Sequence, residues 1–538
     1  MIDVHSERAP GVGGVRPGPK PEPNVLLVLL DDVGIEMLRG YDPESPYALD
    51  GVDAGAQLLY PETPTIDALI GSGVRFSQFR VAPVCSPTRA SLYTGRYAFR
   101  HGVGTAVRAD TVSDDLIELG VGSGPPETTI ARVVQRSRYQ AGLFGKWHLA
   151  LDATESGVTE FPKGGVIWKG SGWDHLRDVG GWNAFWAIFR NLGTPPVPAF
   201  SDPYPAGYYN YFSNQNGTLE TNFGRGAYAT LRTRQKAQRW IAQTATEPFL
   251  AVVALNACHA PFHFPPAELV ATDEYKPAVT AFGEAIPEGS GAEDVWRNYC
   301  AKLEAVDHEL AELLDGLGPE RRERTLVVLA GDNGTPVQIP TTAQAVHSKE
   351  LGETLSFVAG KRRMKTTVFE LGIRAPLVVS GAGVRQPGRV SHVLVDGVDL
   401  FATIRDLAGL AAVDVSAGLP LDGVSLRGVL RDPAAEAAHP RRFSFSETFQ
   451  PNGKPESITD GRTLPHHKDR CIVTTTADGL FKLVRRLDVD DAFYHLYAPA
   501  MEAVDPFERV DLFPEGTSGE FWHHYLDAAA QLDALLAS

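Results

Sequence analysis

Asn24–Leu30 is an unbroken apolar run of β-branched and leucine residues, the pattern of a strand buried on both faces of a parallel sheet. Similar runs occupy residues 249–255, 325–330 and 377–379, and residues 139–144 read as a further strand. Between them lie segments of helical period. Residues 128–138 offer Thr128 and Thr129 as an N-cap, with Ile130, Val133 and Val134 as an apolar stripe. Residues 228–244 and 396–408 read as helices, and residues 293–314 place Tyr299, Leu303, Val306, Leu310 and Leu313 on one side of a long amphipathic helix. Strands spaced by helices predict an α/β architecture: a large mixed, mostly parallel sheet flanked by helices. The pattern changes beyond about residue 430. Residues 470–484 alternate, with Asp478-Gly479 as a hairpin turn, and a helix follows from about Gly519. A smaller α+β subdomain is expected there, its antiparallel strands packed by a helix. The expected division is a flexible tail at 1–22, a catalytic domain at 23–435 and the C-terminal subdomain at 436–538.

A chain of 538 residues suits a large domain plus a smaller one. Its 43% apolar and 22% charged residues are ordinary for a globular protein. The net charge of −16 argues against nucleic acid or an anionic membrane as the main partner, so an anionic substrate would need a local positive pocket. Four cysteines give no disulfide framework and fit a reducing compartment. The stretch before Asn24 is rich in Pro and Gly without an apolar h-region, so no signal peptide is expected and the cytoplasm is the expected location.

One polar segment stands apart, Cys85-Ser86-Pro87-Thr88-Arg89-Ala90-Ser91-Leu92-Tyr93-Thr94-Gly95-Arg96. Pro87 suits the first turn of a helix and Gly95 its end. Cys85 would then sit at the helix N-terminus, where unpaired N–H groups favour negative charge, with Arg89 one turn later on the same face. Cys258, Cys300 and Cys471 read as small buried hydrophobes. Other chemistry-bearing residues follow the strands: Asp31-Asp32 after the first, Gly145-Lys146-Trp147-His148 near 144, Asn256-Ala257-Cys258-His259-Ala260-Pro261 after 255, and Gly331-Asp332-Asn333-Gly334 after 330. In open α/β sheets ligands gather at such carboxyl ends. Lys146 and His148 alternate, so an extended segment would face both to one side.

At these residues the chain resembles the type I sulfatases of the alkaline phosphatase-like superfamily. Cys85-Ser86-Pro87-Thr88-Arg89 matches their C-x-P-x-R motif, Leu92 to Arg96 its usual continuation, and Gly145 to His148 their G-K-W-H block. Asp31-Asp32 and Asp332-Asn333 match metal pairs, with Gly331 in place of the usual Ser or Thr. Lys365 to Pro376 is similar to K-x-x-x-x-E-G-G-x-R-x-P, with Leu371 replacing the first glycine. Val510 to Phe513, after Asp505-Pro506, is similar to the family's closing block.

The resemblance implies that Cys85 is oxidised to formylglycine by a formylglycine-generating enzyme. It implies a divalent cation on Asp31, Asp32, Asp332, Asn333 and the modified Cys85. An oxygen-only set points to calcium, with magnesium the alternative. It further implies that a gem-diol hydroxyl attacks sulfur, Arg89, Lys146 and Lys365 offset negative charge, His259 or Lys365 protonates the leaving alcohol, and His148 takes the proton as sulfate is eliminated. Sulfate ester hydrolysis is the expected reaction, on a small-molecule ester. Two alternatives stand beside it: a formylglycine-dependent phosphonate monoester or phosphodiester hydrolase, whose members generally lack the Lys-Trp-His block, and a non-catalytic binding protein with unmodified Cys85. The aromatic-rich stretch 151–225 reads equally as a core under a long insertion or a substrate-binding wall, and His466-His467-Lys468 as a solvated basic loop.

Overall fold

The structure, a computed structural model, describes residues 22–41, 60–107, 127–149, 176–177, 180–192, 207–244, 247–276, 292–336, 357–358, 361–411, 419–450, 467–486, 489–506, 508, 510–512 and 521–538. The expected tail lies outside them except for Glu22, as do Trp168, Trp173 and Tyr204 of the aromatic-rich stretch and His466.

Ten strands form one sheet: β1 (Asn24–Leu30), β2 (Gly73–Phe76), β3 (Gln140–Lys146), β4 (Ala184–Ile188), β5 (Asn210–Gln215), β6 (Thr218–Phe223), β7 (Phe249–Ala254), β8 (Thr325–Gly331), β9 (Leu377–Gly381) and β10 (Arg389–Ser391). Their order is β10-β2-β9-β8-β1-β7-β3-β4-β5-β6. The five strands from β8 to β4 run parallel, whereas β9, β5 and β6 pair antiparallel to their neighbours, which makes the mixed, mostly parallel sheet expected from the apolar runs.

The period of two in β1 explains its uninterrupted apolar character. Leu26, Val28 and Leu30 pack in a core with Tyr299, Leu303, Val306 and Leu310 of the helix Ala292–Asp315. Val25, Leu27 and Leu29 pack on the opposite face with Leu92 and Tyr93 of the helix Cys85–Thr94 and with Phe401 and Ile404 of the helix Asp399–Leu407. Both faces are covered, so neither carries polar residues.

Two helices are shorter than their sequence patterns. Ile130–Val134 starts at the expected cap, Thr129, whose hydroxyl accepts from the N–H of Arg132, but polar residues 135–138 leave the helix as turns. Asp396 belongs to a short strand, Val395–Asp396, parallel to Phe79–Arg80, so the helix behind it begins at Asp399.

The C-terminal sheet consists of β11 (Phe443–Gln450), β12 (His467–Thr476), β13 (Gly479–Arg486) and β14 (Ala492–Tyr497), all antiparallel in that order. One face, with Cys471, Val473 and Val484, packs on Phe369, Ile373 and Leu394 of the larger unit. The other, with Ile472, Phe481 and Leu483, is covered by Ala528 and Leu532 of the helix Trp522–Ala537 and also meets Tyr97 and Val398. Among the described residues, no helix is long and apolar enough to cross a membrane.

Candidate active site

Register decides where the polar residues converge. Leu30 lies opposite Gly331 and Leu29 opposite Ala254, while Gly145 lies opposite the same Ala254. Strands β8, β1, β7 and β3 therefore end at one level, and the residues that follow them emerge side by side. Asp31, Asp32 and Asp332 offer carboxylate oxygens all within 4.8 Å of one another, and Asp31, Cys85 and His259 form a second such group. Asn333 donates from Nδ2 to Asp32 Oδ1 at 2.8 Å, and the N–H of Asp32 donates to Asp332 Oδ1 at 3.2 Å. Asp31, Asp32, Lys146, His259, Asp332 and Asn333, with Cys85 and Arg89, thus share one cluster whose parts lie as much as 300 residues apart in the chain.

Local structure explains the close approach. Gly145 has φ +99°, and a Cβ there would lie 2.0 Å from the carbonyl oxygen of Ala254, so only glycine lets β3 and β7 run together just before Lys146. Gly331, where the related motif carries Ser or Thr, has no room either: a Cβ would meet Pro376 Cδ and the Val33 carbonyl oxygen at 2.8 Å. The strand ends at Lys146, and His148 has φ +58°. Simple alternation therefore does not bring His148 to the cluster; a left-handed residue does.

The helix Cys85–Thr94 ends at Gly95, φ +70°, as its sequence indicates. Arg89, one turn after Cys85, is fully buried. Its Nε and Nη2 donate to Asp332 Oδ2 at 3.1 and 2.7 Å, and its Nη1 donates to the Lys146 carbonyl at 2.8 Å. Lys146 Nζ donates to Asp31 Oδ2 at 2.5 Å, and Lys365 pairs with Asp32 Oδ1. Three cations thus face three carboxylates. Glu370 anchors the Lys365 segment: it accepts from Arg80 Nε and Nη2 at 3.0 and 2.8 Å and from Lys482 Nζ of β13 at 3.0 Å. Leu371, in the short helix Glu370–Ile373, is buried, so the departure from glycine there is absorbed as core packing.

Burial sets the electrostatics. It pushes the Asp332 carboxyl up to about 6, with Asp31 adding and Arg89 and Lys146 opposing. It pushes the Cys85 thiol up despite Lys146 and Lys365, so the cysteine itself is a neutral thiol. Burial, joined by Lys146, Arg89, His259 and Lys365, holds the His148 imidazole well below its usual range. His259 is likewise held down by burial, then by Lys365 and Lys146. Burial opposes charge on Lys365, but Asp32 outweighs it and keeps that ammonium protonated.

The donor set fits a hard divalent cation. Asp31 Oδ1 and Asn333 Oδ1 are buried oxygens without hydrogen-bond partners, beside carboxylates crowded within 4.8 Å. His259 and Lys365 are the more open members, with side chains 17% and 12% exposed, and so mark the mouth of the cluster.

Some supporting residues carry no motif. Lys302 is fully buried and donates to the carbonyls of His259 and Pro261, both at 2.8 Å, with its ammonium 4.2 Å from the Tyr208 ring centre. The Tyr208 hydroxyl bonds to the same His259 carbonyl at 2.7 Å. The signal for Lys302 is a lysine set within the apolar stripe between Tyr299 and Leu303. Ser86 Oγ donates to the His148 carbonyl at 2.8 Å, and Tyr299 OH to the Asp32 carbonyl at 2.6 Å. Of the aromatic-rich stretch, Trp182, Trp186, Tyr208, Tyr209 and Tyr211 are core residues, with Trp182 edge-on to Tyr93 behind Arg89.

The family model described as Sulfatase matches residues 23–410. N-acetylgalactosamine-6-sulfatase of Canis lupus familiaris is 29% identical over 432 residues, covering 78% of this chain and 69% of that protein. Among solved structures, BT4656 in complex with its substrate D-glucosamine-2-N,6-O-disulfate gives a TM-score of 0.60 at 17% identity, over 96% of this chain and 97% of the other. Phosphonate monoester hydrolase of Agrobacterium radiobacter gives 0.56 at 18% identity, over 96% of each. Both structures share the fold.

Proposed function

Because the chain belongs to the sulfatase family and is a sulfuric ester hydrolase, we propose that it converts a small-molecule sulfate ester and water to an alcohol and inorganic sulfate, with Cys85 oxidised to formylglycine by a formylglycine-generating enzyme. The observation that carries this reading is the convergence of Asp31, Asp32, Asp332 and Asn333 beside Cys85, ringed by Arg89, Lys146 and Lys365. Those four oxygen-bearing residues would hold calcium, or magnesium in its place, which supplies Lewis acidity toward oxygen when bound. The hydrated aldehyde at position 85 supplies a hydroxyl nucleophile and, afterwards, a route for expelling sulfate.

The chain's own residues then have distinct tasks. Arg89, Lys146 and Lys365 offset negative charge on the sulfate oxygens in a water-poor site, where such charges act most strongly. The His259 Nδ1 lies 2.7 Å from the Ala260 carbonyl oxygen, which only accepts, so Nδ1 carries the hydrogen. Proton exchange at His259 is thereby confined to Nε2, which faces Asp32 Oδ2 at 3.8 Å. Because burial and the neighbouring lysines keep the ring neutral, Nε2 first takes up a proton as the anionic ester brings negative charge into the site, and then delivers that proton to the departing alcohol. Lys365, held protonated by Asp32, is better suited to charge stabilisation than to proton delivery. His148, kept neutral and with a buried Nδ1 that has no partner, is suited to accept the proton released at position 85. None of the four cysteines pairs in a disulfide, in keeping with a cytoplasmic location.

The test compares rates on an aryl sulfate and an aryl phosphonate, using protein whose aldehyde at position 85 is verified by peptide mass. The sulfate should be hydrolysed faster by at least tenfold. A preference for the phosphonate would sink the reading, and so would full activity of protein that carries only thiol at position 85.

A further inference from the structure

Away from this centre, the C-terminal unit holds a different group of ligand side chains. Asp478 lies in the turn between β12 and β13, and His523 and His524 lie in the first turn of the helix Trp522–Ala537. One ligand atom from each falls within 4.8 Å of the others. His524 Nε2 is 2.8 Å from Asp478 Oδ2, and the rings of His523 and His524 are 3.9 Å apart. The surroundings fix this arrangement. The Phe481 ring stacks on His495 at 4.2 Å and lies tilted against His524 at 4.5 Å, and His495 Nε2 donates to the Asp478 carbonyl at 3.1 Å. His524 is buried, while Asp478 and His523 are exposed, so the group is anchored on one side and open to ions on the other.

We propose that Asp478, His523 and His524 bind one borderline divalent cation of the zinc type, which ties the β12–β13 turn to the C-terminal helix. Two imidazole nitrogens and one carboxylate form a set that prefers zinc over the hard cations suited to the all-oxygen centre. Ligand atoms bound at about 2.0–2.2 Å stand roughly 3–3.5 Å apart, so the 2.8 Å His524–Asp478 contact has to open by only a few tenths of an ångström. The ion takes the place of the hydrogen between His524 Nε2 and Asp478, the ring stays neutral by carrying its hydrogen on Nδ1 instead, and water completes the coordination on the exposed side. The net charge of the group rises from −1 to +1, on a molecule of net charge −16.

The experiment uses the full chain with calcium in excess, so that the oxygen-lined centre does not compete, and titrates zinc chloride while heat and thermal midpoint are followed. The parent should take up one zinc more than His523→Ala, with at least tenfold tighter binding at that step, and only the parent's midpoint should rise. Because His523 is exposed and takes no part in the Cys85 cluster, the variant should keep the parent's hydrolysis rate. Equal zinc stoichiometry and an equal midpoint response in parent and His523→Ala would overturn the proposal, whatever the outcome of the sulfatase test.

Discussion

At Cys85, position and burial oppose each other. The helix N-terminus, Lys146 and Lys365 favour a thiolate, yet burial together with Asp31 and Asp332 keeps the thiol protonated. A neutral buried thiol is a weak nucleophile. The proposed aldehyde has no such requirement, since its hydrated form offers a hydroxyl without ionising a thiol. Cys85→Ala should therefore lose turnover to the uncatalysed background. Only one sulfur is removed from the core, so stability should fall by about 1 kcal/mol. Hydrolysis of an aryl sulfate and a urea midpoint measure the two effects, and retained activity in this variant would contradict the assignment of position 85.

Among the elements, the long helix Ala292–Asp315 links packing to chemistry. Its apolar stripe fills the core under β1, and Lys302 within that stripe clamps the carbonyls of the loop carrying His259. Lys302→Met should keep the helix but release that loop. If His259 Nε2 delivers the proton, activity should fall about 10–100-fold on an alkyl sulfate, whose leaving group needs protonation, and much less on a nitrophenyl sulfate. Equal losses on both esters would show a merely structural role. A second prediction concerns the junction of the two sheets. Asp396 Oδ2 accepts from the Phe445 N–H and Ser444 Oγ of β11, both at 3.0 Å. Burial pushes its carboxyl up to about 7, against the pull of Arg441. A raised folded-state value means that the stabilising contribution is complete below the unfolded value, near 4, and is lost as pH rises through 7. Asp396→Asn should remove that part of the pH dependence, on the order of 2–4 kcal/mol between pH 4 and 7.5, as read from urea midpoints of parent and variant.

These elements also show what can be read without coordinates. The fully buried strands are legible because parallel strands covered on both faces need continuous apolar runs, and Asp31, Asp332 and His259 are legible because they interrupt such runs at the ends. The cap at Thr129 and the stop at Gly95 are local chemistry and stand where the sequence puts them. Lys302, Tyr208 and Lys482 are less legible. Their partners lie far along the chain, 41 and 43 residues away for Lys302, 51 for Tyr208 and 112 for Lys482, and the only local hint is the apolar stripe around Lys302, which marks it as buried without naming what it clamps. His148 joins the cluster through a left-handed backbone, a choice made by tertiary packing and not by the period of a strand.

For the molecule as a whole, charge separates the surface from the centre. The chain carries −16, so a sulfate ester approaches a repelling field. Within the centre, Asp31, Asp32 and Asp332 balance Arg89, Lys146 and Lys365, and that set alone has no net attraction for an anion. A divalent cation raises the set to +2, enough to receive a sulfate monoester of charge −1 and the charge that shifts toward its oxygens. The same ion would tie together ligands that lie 300 residues apart, after β1 and after β8, and so stabilise the folded chain over the unfolded one. At a concentration of 100 times its dissociation constant that linkage is worth about 2.7 kcal/mol. Dialysis against EDTA should therefore lower both kcat/KM, by at least 100-fold, and the thermal midpoint. Adding calcium or magnesium should restore both together, because one bound ion is responsible for both. Full activity after verified chelation, or recovery with zinc alone, would show that the oxygen cluster does not hold the ion its chemistry requires.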